Sequence, residues 1–217
     1  MHRSILNINS IKNEIEKVDN LNKTKIVAIS KTFPIEDILP LIEYGHLHFG
    51  ENKVQEAVEK WSKIKNQNKT LKLHFVGKLQ SNKVKFVIPL FDYIHSLDNL
   101  KLAEKIAKQQ TKIKVKPKIF VQINIGNEPQ KGGILVNELD KFIDTCLKDL
   151  ELNIIGLMCL PPNDDKTENY FIKMKELNKR HGFKELSMGM SNDYKLAIKN
   201  ESSFLRIGTK IFGKRPK

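Results

Sequence analysis

The sequence lacks most of the features that mark the common function classes. Among its 217 residues there are only two cysteines, Cys146 and Cys159. They form no CxxC pair, and no Cys/His cluster has zinc-ligand spacing, which excludes a structural zinc or a thioredoxin-type redox motif. Both lie in apolar runs, FIDTCL and GLMCLP, where free thiols are buried as small hydrophobes. No apolar run approaches the roughly 20 residues of a membrane span. The start, MHRSILNINSIKNEIEKV, has no apolar h-region, so no secretory signal and a soluble, cytoplasmic protein are expected. There is no arginine-rich patch and no stacking-aromatic motif for nucleic acid. The formal net charge is +13. Its lysines are spread along the whole chain with acids beside them, as on a solvated surface, so a nucleic-acid partner is not expected. There is no low-complexity segment, no repeat with sequence identity and no long linker. One domain over 1–217 follows.

What is present is an alternation. Residues 3–18 carry Ile5, Ile8, Ile11, Ile15 and Val18 at helical spacing, a lone helix ahead of everything else. Short runs rich in β-branched and apolar residues then alternate with helical patterns: KIVAIS, HFG, LKLHFVG, YIHS, KPKIFVQINIG, LNIIGLMCL, KELSMG and SFLRIGT. The helices between them include NKVQEAVEKWSKIK, SNKVKFVI with Ser81 as N-cap, and DNLKLAEKIAKQQ with Asp98 as cap. A helix over 164–181 points Tyr170, Phe171, Met174 and Leu177 inward, and IFGKR closes the chain as a short turn. Eight such units predict an α/β protein: a single (β/α)8 TIM-type barrel preceded by an N-terminal helix. A doubly wound open sheet is the alternative. It prefers a Gly-rich phosphate loop after the first strand, and here that turn, SKTFP, has no glycine.

In such a barrel the chemistry stands at the C-terminal ends of the strands. Lys31 follows the first strand at the lip of an apolar run. Desolvation lowers a lysine pKa and makes the amine nucleophilic, as Schiff-base lysines require, although a snorkelling lysine fits the same position. After the seventh and eighth strands, SMGMSND offers Gly189 and Ser191, and RIGT offers Gly208 and Thr209. Turns of this kind bind phosphate through backbone N–H groups and hydroxyls, and ordinary capping by Ser191 and Thr209 is the competing explanation. Arg206 interrupts an apolar strand near its end, so it must be paired in a salt bridge or face a ligand. A lysine for a carbonyl, a phosphate cradle and an arginine suit a phosphorylated aldehyde. Pyridoxal 5′-phosphate (PLP) is the common case, and an aldolase-type sugar-phosphate enzyme fits nearly as well.

KIVAISKTFP, HFGENKVQEAVEKW, HFVGKLQSNKVK, IHSLDN, VQINIGNEPQKGG, GLMCLPP, LSMGMSNDYKLAI and LRIGTKIFGKR occur in this order. Together they resemble the pyridoxal phosphate homeostasis proteins over about residues 5–215. The resemblance implies an alanine-racemase-like barrel without the racemase's second domain. It implies PLP held as a Schiff base on Lys31, with the phosphate held by Ser191, Gly208 and Thr209. It implies that Arg206 faces the pyridine nitrogen, that Asn52 and Met158 line the pocket, and that His74 lies near it. A guanidinium only donates hydrogen bonds, so Arg206 would keep that nitrogen unprotonated and weaken PLP as an electron sink. One departure stands out: where the family usually has KSG, this chain has Lys131, Gly132 and Gly133, and a hydroxyl is lost.

The resemblance implies a PLP-binding protein of vitamin B6 homeostasis that stores and delivers PLP, with knock-on control of amino-acid and keto-acid balance. Apo-PLP enzymes would be its recipients, catalysis is not expected, and a monomer is. The chain stops at Lys217, shortly after the eighth strand, leaving no residues for a racemase's second domain. The alternative is a PLP-dependent amino-acid racemase or a related enzyme of that fold.

Overall fold

The computed structural model describes residues 1–18 and 24–214. Eight strands alternate with helices: β1 (Lys25–Ile29), β2 (His48–Glu51), β3 (Lys72–Phe75), β4 (Tyr93–Leu97), β5 (Lys118–Ile123), β6 (Ile154–Cys159), β7 (Glu185–Ser187) and β8 (Phe204–Ile207). All neighbours pair in parallel, and β1 pairs with β8 through Lys25↔Phe204 to Ala28↔Ile207, which closes a TIM-type barrel. The open-sheet alternative is excluded. Among the described residues, no helix is long and apolar enough to cross a membrane.

The helices are α1 (Arg3–Glu16), α2 (Ile35–Glu43), α3 (Val54–Gln67), α4 (Val84–Val87), α5 (Leu100–Ile113), α6 (Leu139–Asp144), α7 (Thr167–Arg180), α8 (Tyr194–Lys199) and α9 (Thr209–Phe212). They bury one face each against the outside of the barrel. In α1, Ile8, Ile11 and Ile15 are buried, while Val18 lies past the helix and is 47% exposed. In α3, Ala57 and Trp61 are buried, and in α7 Phe171, Met174 and Leu177 are buried while Tyr170 stays at the surface edge.

The helix starts differ from the sequence expectation in two places. Asn99, not Asp98, caps α5, its side chain accepting a hydrogen bond from the Leu102 amide at 2.9 Å. Ser81 opens a 3-10 turn, Ser81–Lys83, ahead of α4 and makes no capping hydrogen bond. At α5 the difference is one residue, a matter of which of two neighbouring oxygens reaches the first free amide, whereas no side chain caps the Ser81–Lys83 turn or α4. The last expected turn, IFGKR, begins as α9, and its Arg215 lies outside the described residues.

Strand parity divides the core. Outward side chains join the helix layer in one large apolar cluster. The barrel interior holds Val27, Ile29, Tyr93, Phe120, Met158 and Phe204. On β6, Gly156 is required by a close backbone approach: a Cβ there would stand 1.8 Å from the Glu185 carbonyl oxygen. Gly156→Ala is expected to destabilise the fold by about 3 kcal/mol, since the β6–β7 pair must separate to admit a methyl group. Chemical denaturation checks this. A change below about 0.5 kcal/mol, the size of a surface substitution, would show that the pair yields without cost.

Candidate functional site

The loops after the strands enclose a cleft of about 860 Å³ at the C-terminal mouth of the barrel. It brings together Lys31, Asn52, Ser191, Arg206, Gly208 and Thr209, residues drawn from four separate strand ends. Closure of the sheet places Lys31 beside the residues that follow β8.

The loops after β7 and β8 are joined by side chains. Thr209 donates to Ser191 Oγ at 3.0 Å, and the Lys210 amide lies 3.4 Å from the same oxygen. Neither hydroxyl caps its helix; Asp193 instead accepts from the Met190 amide. The capping explanation therefore falls, and two hydroxyls meet at the cleft wall. Gly189 permits this turn. Its φ is +91°, and a Cβ would stand 2.6 Å from Ala197 Cβ. Its carbonyl accepts from the Arg206 amide at 2.9 Å, tying the two loops together.

Arg206 is 5% exposed. Its guanidinium donates to Ser187 Oγ at 2.6 Å and to the Cys159 carbonyl at 2.7 Å. No carboxylate pairs with it among the described residues, so the salt-bridge explanation also falls. Burial lowers its pKa, yet a guanidinium stays charged, and Arg206 lines the cleft. Cys159 beside it is pushed up to about 12 by burial, as is Cys146.

Two of the expected site residues lie elsewhere. Met158 is fully buried in the barrel interior with Phe120 and Phe204 and does not line the cleft. His74 is also fully buried, below the cleft, with both ring nitrogens engaged. It bonds His48 Nδ1 through Nε2 at 2.9 Å, and His95 Nε2 through Nδ1 at 2.9 Å. His95 Nδ1 in turn lies 2.9 Å from Ser187 Oγ. The result is a hydrogen-bonded chain, Arg206–Ser187–His95–His74–His48, crossing the barrel interior.

A guanidinium only donates, so Ser187 Oγ accepts from Arg206. His74 and His95 are each engaged at both ring nitrogens, which leaves neither imidazole with an unpartnered polar atom. The rings are held by stacking, His74 on Tyr93 at 4.1 Å between centroids and His95 on Phe120 at 4.4 Å. Burial drives both imidazoles well below their usual pKa, with His95 and His48 further lowering His74, and Arg206 further lowering His95. His48 falls to about 4 through burial and the nearby Lys25 and Lys72. These partners were missed in the sequence. The available signal was parity: histidines two residues apart in register on β2, β3 and β4, all facing inward.

The departure at 131–133 is local. A Cβ on Gly132 would meet Asp98 Oδ2 at 2.9 Å, and Lys131 is tied to Glu128 and to the Pro161 carbonyl. No group of three or more His, Cys, Asp or Glu side chains among the described residues could hold a metal ion.

Comparison with known proteins fits this geometry. The family model described as alanine racemase, N-terminal domain, matches residues 6–216. A pyridoxal phosphate homeostasis protein of Haemophilus influenzae is 40% identical, over 96% of this chain and 94% of its own. The chain belongs to the pyridoxal phosphate homeostasis protein family. PipY of Synechococcus elongatus, solved without PLP, matches with a TM-score of 0.88 at 30% identity, covering 98% of this chain and 100% of its own. The structure of PipY with PLP bound matches at 0.83. Alanine racemase of Clostridium difficile shares the fold, with a TM-score of 0.77 at 17% identity, and this chain covers 57% of it.

Two outcomes are expected of this family member's buried groups. The folded pKa values of His46 (about 3), His74 and His95 lie below the unfolded value, because burial opposes their charged forms. Such groups favour folding above pH ~6.5, and that stability is lost as pH falls toward their folded pKa values, at about 1.4 kcal/mol per pH unit per histidine. Denaturation measured from pH 7 to pH 4 checks this; a flat profile would contradict it. Both thiols, raised to about 12, should resist alkylation at pH 8 until the protein unfolds.

Proposed function

We propose that this protein, as one unit spanning residues 1–217, binds PLP as a Schiff base on Lys31 in the cleft at the C-terminal mouth. The observation that carries this is the meeting of three groups at one mouth: a lysine, a pair of hydroxyls on facing loops, and a buried arginine with no carboxylate partner.

The residues fit the cofactor. The Ser191–Thr209 pair and the backbone at Gly208 suit a phosphate. Asn52 Oδ1 is buried with no hydrogen-bond partner, an acceptor suited to a ligand donor. Asn52 stands at the wall shared with Lys31. Arg206 presents donors and a charge, so it suits the unprotonated ring nitrogen of a pyridine. When bound, PLP supplies a carbonyl for amine attachment and an electron sink, and Arg206 keeps that sink weak. Ser187 and the Cys159 carbonyl hold the guanidinium in its orientation. Met158 and His74 form the floor below the cleft, acting on the site through packing and through the histidine chain.

Holding PLP suits this arrangement better than driving carbanion chemistry. We assign the protein to PLP storage and delivery in vitamin B6 homeostasis, with consequent effects on amino-acid and keto-acid balance. It acts as a cytoplasmic monomer, with apo-PLP enzymes as recipients. The fold shared with alanine racemase favours one second reading, a PLP-dependent amino-acid racemase.

The purified protein is expected to absorb as a PLP Schiff base, to be fixed by borohydride, and to lose both properties in Lys31→Ala. A protein that stays colourless with added PLP would overturn the binding assignment. Ser191→Ala or Thr209→Ala should weaken PLP binding about tenfold each, the worth of one hydrogen bond to a charged group. Conversion of L-alanine to D-alanine well above a Lys31→Ala control would replace the carrier reading with the racemase one.

A further inference from the structure

We infer that helix α3 is the positioning element for Lys31, and that Glu56 holds the strained turn in which this lysine sits. The inference rests on the assignment of Lys31 as the PLP-bearing residue.

The turn after β1 contains no glycine, yet Thr32 has φ of +69°. A β-branched residue in the left-handed region is a true outlier, at a cost of roughly 1–2 kcal/mol. Such strain persists only where the surroundings over-determine it. Here they do. The Thr32 amide donates to Glu56 Oε1 at 2.8 Å, a charge-assisted bond from the first turn of α3. Lys60, one turn further along, donates to the Ser30 carbonyl at 3.1 Å and to Glu51 Oε1 at 3.0 Å, and it approaches Glu56 Oε1 at 3.4 Å. Glu51 Oε1 also accepts from Ser30 Oγ at 2.8 Å and from Trp61 Nε1 at 2.9 Å.

The residues on either side of Lys31 are thus held from α3, Ser30 through Lys60 and Thr32 through Glu56, with Glu51 of β2 bridging Ser30, Lys60 and Trp61. Glu51 is fully buried and Lys60 nearly so, so the Ser30 half of this grip is shielded from solvent and from salt, while the Thr32–Glu56 bond lies at the surface. A lysine that must meet an aldehyde carbon gains from a backbone that does not wander. Small displacements of a reacting group cost large factors in rate. An unstrained Gly at 32 would form the same turn without help. The chain has threonine there instead, and the turn therefore depends on α3.

The test uses the full-length protein and the variants Glu56→Ala, Thr32→Gly and the double variant. Amide hydrogen exchange at Thr32, measured without PLP, reads the clamp directly. Protection is expected in the wild type and should be lost in Glu56→Ala. The rate of PLP attachment, read by borohydride trapping and mass, should fall about tenfold in Glu56→Ala. Affinity for inorganic phosphate, competing at the Ser191–Thr209 corner, should stay unchanged. Adding Thr32→Gly should restore the attachment rate to within about threefold of wild type, because glycine adopts the turn unaided. An unprotected Thr32 amide in the wild type, an unchanged attachment rate in Glu56→Ala, or a double variant no faster than the single one would each overturn the inference. If the wild type attaches no PLP while its Thr32 amide is protected, the clamp stands and the cofactor assignment fails.

Discussion

Everything at the site depends on the pairing of β1 with β8. Lys31 and Thr209 lie at opposite ends of the chain, and only the registered contact from Lys25↔Phe204 to Ala28↔Ile207 sets them at one rim. Parallel pairing of distant strands gains nothing until the intervening strands are in place, because loop-closure entropy is met before the contacts form. The amine, the hydroxyl pair and the arginine are consequently a property of the closed barrel. No fragment of it carries all three.

The interior below that rim is unusual for what it buries. Filling a small barrel needs bulk, and branched aliphatics normally supply it. Here aromatic rings and imidazoles share the space, with Tyr93, Phe120 and Phe204 packed around His74 and His95. Buried polar groups are tolerable only when every member has a partner. His74 and His95 meet that demand with a partner at each ring nitrogen, and the donor-only guanidinium of Arg206 anchors the end of the chain at Ser187. One residue both lines the cleft and anchors the floor.

The fold was largely legible in the sequence, because short continuous apolar runs, as in strands of a parallel sheet, alternate along the chain with segments of 3.6-residue periodicity. Lys31, Asn52, Ser191, Arg206, Gly208 and Thr209 were legible as residues at or past the C-terminal ends of strands, and they do share the cleft. His74 and Met158 were placed near the pocket through resemblance, whereas strand parity sends them into the interior. Asp98 was misread because a cap depends on which neighbouring oxygen reaches the free amide, and Ser81 because an uncapped 3-10 turn precedes α4. Ser187 and Glu56 were invisible for a different reason. Each acts through a contact set by tertiary packing, Ser187 with Arg206 19 residues on and Glu56 with an amide 24 residues back. Nothing local in SMG or QEA marks either role.

The histidine chain also ties distant strands to one another. His48, His74, His95 and Ser187 stand on β2, β3, β4 and β7, and each meets the next across the barrel interior. Replacing any one of them by an apolar side chain strands a polar atom of its neighbour in a fully buried space. The four strands are therefore constrained at these positions as a set, and a change on β2 is felt through two rings at β7, directly under Arg206.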